Sequence, residues 1–276
     1  MTRPESVALW CALPLVVAVT IDSLEVLAER RQLRAGGLFG FEVLVTRHRL
    51  FLRGPLAGPL GRVFRYPAVL ALPVVQLGAA GILAAAAIVH APSLVVPAGL
   101  AALTILGARM LLHLRNRFGL DGSDQMILVA CTAVAAALLL PDPQARALAL
   151  YYLAGQLLLS YAAAGAAKAA SPQWRSGWAI PEITSMLTYG TPRLGSWLKA
   201  HPAAGRVLCW AVIVFECSAA VLILAGTSGA VAIIAGGVLF HVSIAAIMGL
   251  NMFLWSFAAA YPALLYVAGQ VDALWR

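Results

Sequence analysis

"PAVLALPVVQLGAAGILAAAAIVHAPSLVVPAGLAALTILGARMLLHL" occupies residues 67–114. Two apolar runs, 67–90 and 93–114, flank a short break at Ala91 and Pro92. Each run has about the 20 residues that a helix needs to cross hydrocarbon. Arg109 is the single fixed charge in the stretch. Helices this apolar on every side have no face to offer water, so the pair reads as two membrane spans.

The rest of the chain follows the same pattern. Of 276 residues, 62% are hydrophobic and 11% charged, and the mean hydropathy is +0.89. These values exclude a soluble domain of this length. Strand-like alternation is absent and Ala, Leu and Val runs dominate, which argues against a barrel. The fold class expected is all-α: a polytopic transmembrane bundle of seven or eight spans, one domain over 1–276. The apolar segments are about 5–27, 67–90, 93–114, 124–141, 145–170, 205–226, 228–249 and 252–269. The fourth and eighth are short. "GLN" at 249–251 reads as either a tight turn or a broken, re-entrant helix.

Two stretches are not spans. Residues 28–66 carry eight arginines alternating with Leu, Phe and Val, and read as an interfacial amphipathic segment. Residues 171–204 carry Trp174, Trp178, Trp197 and "EITSMLTYG", and read as a structured loop on or in the bundle. The first apolar run holds Asp22 and Glu25 and continues into "ERRQLR" with no small-residue cleavage site, unlike a signal peptide. Cys11, Cys131, Cys209 and Cys217 all lie in apolar runs and read as small buried residues.

With eight alternating spans, one face receives 28–66, 115–123 and 171–204, and with Lys168 and Arg206 at the flanking helix ends it collects fifteen of nineteen Lys and Arg residues. The opposite face receives Arg3, Arg146 and Arg276. The positive-inside rule then puts both termini outside the cytoplasm, in a plasma membrane. The net charge of +8 is explained by these loops and calls for no nucleic acid, the partners expected being membrane lipids.

Charged and titratable groups inside spans cost about 2.5–3.5 kcal/mol at mid-helix, so they are the first functional candidates. Lys168 ends the run "YAAAGAAKAA". Its bland role is snorkelling to the interface. Tyr161, Gly165 and Lys168 nevertheless share one helix stripe, and the alanines between them allow close helix approach. Glu216 and His241 fall at similar depths in successive spans, where they would bridge to each other for structure or function. Asp22, Glu25 and Asp124 are candidate counter-ions for Lys168. Asp124 also suits the first turn of its helix. No zinc, P-loop or dinucleotide motif is present.

"YAAAGAAKAASPQWRSGWAI" resembles the Y-x-x-x-G-x-x-K…W-x-x-G signature of the vitamin K-dependent γ-carboxylase-like membrane proteins, the horizontally transferred transmembrane domain family. "FHVSIAAIMGLNMFLWSFAAAYP", 240–262, is similar to that family's F-H…G-x-x-x-F-x-W block, and Phe215–Glu216 matches an F-E pair. The resemblance spans about 100–265. It implies Lys168, His241 and Glu216 in catalytic roles, with Tyr161, Gly165, Trp174, Trp178 and Asp124 around a lipid-soluble quinone or hydroquinone. Lys168 would be the base that deprotonates the hydroquinone, and a small precursor peptide would be a partner. This chain departs from the family where an N-N-H block is replaced by "LDGSD", and where the asparagine of F-H-x-x-N is Ile244. A non-catalytic subunit or carrier in peptide maturation or export is the alternative.

Overall fold

The computed structural model describes residues 3–45, 57–116 and 120–275. The long helices are α1 (Pro4–Ala28), α4 (Ala71–Val89), α5 (Val95–Arg115), α6 (Gly122–Leu139), α7 (Pro143–Ala170), α11 (Pro202–Leu222), α12 (Gly226–Met248) and α14 (Tyr261–Leu274). Short helices fill the connections: α2 (Phe41–Val45), α3 (Ala57–Phe64), α8 (Pro172–Ser176), α9 (Ala179–Ser185), α10 (Pro192–Ala200) and α13 (Met252–Ala258). The described residues contain no strand.

Among the described residues, seven helical stretches are long and apolar enough to cross a membrane. One of them, Pro202–Met248, has 47 residues, about 70 Å of helix and more than twice a hydrocarbon core. It folds into a hairpin: the rings of Phe215 and Phe240 lie 6.0 Å apart, on opposite sides of a one-turn 3-10 helix at Ile223–Ala225. Gly226 makes that reversal with φ +63°, ψ −139°, a conformation that a side chain would oppose. The protein is therefore a multi-pass integral membrane protein whose helices form an all-α bundle.

Helix boundaries follow ordinary capping chemistry. Asp121 caps α6: its carboxylate accepts from Ser123 and Asp124 N–H, while Asp124 accepts from Asp121 N–H. Asp142 caps α7 ahead of Pro143. "GLN" at 249–251 proves to be a tight turn, with Gly249 left-handed at φ +71°. The last span then runs back along α12, bent at Ala259–Ala260, and extends past 269 to Leu274.

The core sits where α1, α4, α5, α6, α7 and α14 meet. Alanines at 8, 12, 98, 102, 130, 137 and 154 are buried there. Such small side chains let backbones approach without a hydrophobic drive between helices. Contacts at one end agree with alternating spans: Glu5 pairs with Arg146, Trp10 donates to His90, and Asp272 accepts from Thr227, all on the face opposite the 28–66 segment.

Cys11, Cys131 and Cys209 are buried, but Cys217 is exposed, contrary to expectation, at the edge of the α7–α11 contact where its Sγ lies beside Gly165. The interfacial segment contains α2 and α3, and residues 46–56 of it lie outside the described residues. The 171–204 loop forms α8, α9 and α10, which pack along the first half of α11. Arg206 and Trp210 donate to the carbonyls of Ser176 and Arg175.

Candidate functional site

A cavity of about 790 Å³ lies among α6, α7, α11, α12 and α13, roofed by Trp174 of α8 and Ile180, Ile183 and Thr184 of α9. This is within the usual range for small-molecule sites, about 300–1,000 Å³. Its walls are apolar, with residues such as Met126, Val129, Val212 and Ile244. α11 and α12 stay in contact from their turn to mid-helix, where Gly236 packs on Phe215 at the cavity wall. Leu208 and Leu239 line the cavity and are also 44% and 70% exposed, so this wall is open toward the lipid side.

Beside the neutral Gln125, Gln156, Ser160, Thr184 and Ser243 of the lining, titratable groups enter at two places. Lys168 Nζ donates to both carboxylate oxygens of Glu216, at 2.8 and 2.7 Å. Glu216 is 3% exposed and Lys168 20%. The indole of Trp174 lies 5.2 Å from Nζ, so the ammonium is held between an anion and an aromatic face. Gly165, one turn before Lys168, makes the pairing geometrically possible. A Cβ there would come within 2.8 Å of Cys217 N and 2.9 Å of Glu216 Cβ. Lys168 is thus turned into the bundle, and the snorkelling role does not describe it.

The second polar place is the floor. Tyr161 Oη hydrogen-bonds His241 Nε2 at 3.1 Å and meets Tyr261 Oη at 3.5 Å. Phe215, Phe240, Phe253 and Phe257 surround this pair. Gly237 leaves room for both phenols: a Cβ would lie 2.5 Å from Tyr261 Oη and 2.7 Å from Tyr161 Oη. His241 is 1% exposed, and its Nδ1 has no hydrogen-bond partner among the described residues.

Five of the expected residues, Lys168, Glu216, His241, Tyr161 and Trp174, therefore line one cavity. Gly165 stands behind its wall. Two are elsewhere: Trp178 is 51% exposed beside Pro181 and Leu198, and Asp124 lies outside the cavity. The expected Glu216–His241 bridge is not formed. Glu216 is taken by Lys168 and His241 by Tyr161, because the long lysine reaches across α7–α11 while Tyr161 stands directly over the histidine.

Lys168 does not pair with Asp22, Glu25 or Asp124. Asp22 and Asp124 belong to a separate cluster around Arg109, which is 2% exposed. Its guanidinium donates to Asp22 at 2.5 Å and Asp124 at 2.7 Å, tying α1, α5 and α6 together, and His113 Nε2 lies 3.5 Å from Asp124. A second bond, Ser23 Oγ to Gln76 Oε1 at 3.0 Å, joins α1 to α4 beside it. The sequence signal for this cluster was an arginine alone in an apolar run with two acids in neighbouring spans. Tyr261 and Gly237 carried no comparable signal.

Comparison with protein-family models, curated proteins and solved structures gave no match for the chain. Fold and cavity define its class: a multi-pass helical membrane protein with an apolar internal site and an ion pair at its edge.

Proposed function

We propose that this protein binds a lipophilic small molecule in the cavity, and that the ligand is a lipid-soluble quinone or hydroquinone, the class implied by the carboxylase-like motifs. The observation that carries this is the convergence of the Lys168–Glu216 pair, Tyr161 and His241 on one apolar cavity of about 790 Å³. Apolar walls suit a ring and its tail, and few polar groups fix orientation. The open side between α11 and α12 suits arrival from the bilayer.

The pair is arranged for proton transfer. Glu216 accepts the proton of a ligand hydroxyl, and the Lys168 ammonium, released from the carboxylate, holds the oxyanion left behind. The product would act on a peptide or lipid partner. This division of labour differs from a free lysine base, because Nζ is engaged on both carboxylate oxygens. That same engagement favours the second reading, a non-catalytic carrier in peptide maturation or export, where the pair only orients the ligand.

The test uses the purified protein in nanodiscs with a decyl-benzoquinone and its hydroquinone as probes. Saturable binding, weakened about tenfold by Tyr161→Phe, is the expected result, since one hydrogen bond contributes about 0.5–1.5 kcal/mol. Absence of saturable binding of either probe refutes the reading. Lys168→Arg separates the two versions: a carrier keeps its binding, whereas proton-transfer chemistry is lost when the guanidinium locks Glu216. The proposed site lies in the plasma membrane with both termini extracytoplasmic, and a C-terminal reporter active only in the cytoplasm would refute that orientation.

A further inference from the structure

We propose that residues 29–45 and 57–70, between α1 and α4, form a built docking platform for the anionic phospholipid headgroups of the protein's own membrane. This inference is independent of the cavity and its ligand. These two stretches do not project away from the bundle. Leu33, Phe41 and Phe64 are buried against Val69 and Leu72 at the start of the second span, and against Ala108 and Leu112 in the last two turns of α5. Arg115, 2% exposed at the end of α5, clamps both arms. Its Nε donates to Phe64 O at 3.0 Å and its Nη2 to Phe39 O at 2.7 Å. The platform is therefore fastened to the ends of two spans, where headgroups lie in a bilayer.

Its outer surface mixes two chemistries that water alone does not reconcile. Leu38 is 71% exposed and Val43 52%, with Val63 exposed on α3. Among them, Arg30, Arg31, Arg34, Arg62 and Arg65 are all exposed, against the acids Glu29 and Glu42. At a membrane surface both are satisfied: apolar side chains enter the acyl boundary and guanidiniums take phosphate oxygens bidentately. Arg34 and Arg65 are already steered by aromatic faces, Tyr66 at 5.1 Å and Phe41 at 5.8 Å. Three more arginines of the sequence, Arg47, Arg49 and Arg53, lie outside the described residues.

The experiment compares lipids retained by the full-length protein released from nanodiscs of mixed phosphatidylglycerol and phosphatidylcholine, counted by native mass spectrometry. Wild type should retain phosphatidylglycerol preferentially. The paired variants Arg30→Gln with Arg31→Gln, and Arg62→Gln with Arg65→Gln, should each lower that preference, by about fivefold for each guanidinium lost. Both pairs are exposed, and unchanged thermal melting confirms folding. Arg193→Gln with Lys199→Gln, on the same face but in the other loop, should leave the preference intact. Equal retention of the two lipids by wild type, no loss in either platform pair, or an equal loss in the control pair would each overturn the proposal.

Discussion

Replacing Lys168 by Met tests the centre of the site. The substitution keeps length and apolar volume but leaves Glu216, 3% exposed, with neither of its charge-assisted bonds. Removing one member of a buried pair costs about 3–5 kcal/mol, because the remaining charge stays desolvated. Lys168 is 20% exposed, so some water reaches the gap and the cost falls toward the lower end, about 3 kcal/mol. Adding Glu216→Gln removes the stranded charge, and the double variant should return to within about 1 kcal/mol of wild type, since neutral replacements of buried pairs are often tolerated. The assay is a double-mutant cycle from equilibrium unfolding in mixed detergent micelles. Additive effects, or a Lys168→Met variant as stable as wild type, would mean that the ammonium sits in the interface without Glu216. The ion pair at the cavity edge would then be wrong, and the proposed proton transfer with it.

Arg109→Leu should destabilise at least as much, about 3–5 kcal/mol, by stranding Asp22 and Asp124 together; unfolding at the wild-type midpoint would refute the staple. Gly165→Ala should push α7 and α11 apart by about half an ångström, since carbon contacts settle near 3.5 Å, and should weaken probe binding while the protein still folds; unaltered binding would show that the close approach is not needed. Gly237→Ala should displace the Tyr161 and Tyr261 hydroxyls and reduce binding more than stability; a purely stability-linked loss would refute their role in the floor.

Hydropathy alone exposed the spans, because a membrane helix is recognised by length and apolarity, both local properties. The runs at 67–90 and 93–114 became α4 and α5 within a few residues, and Asp124 stands in the first turn of α6 as expected. Arginine counts made the basic face visible for the same reason: charge is additive along the chain. Lys168, Glu216 and His241 were also identifiable as candidates, since a costly polar group in an apolar run stands out, whereas Tyr161 was marked by sharing the Lys168 stripe and Trp174 by the motif resemblance alone.

Their pairing was not legible. Depth along the membrane puts Glu216 near His241, but which side chains meet depends on helix rotation and side-chain reach. Those are fixed by close contacts such as Gly165 on Cys217 and Gly237 beneath Tyr161 and Tyr261. Apolar sequence cannot encode rotation about a helix axis strongly when every face is hydrophobic. Only the packed bundle decided that Lys168 takes Glu216, that Tyr161 takes His241, and that Arg109 takes both aspartates.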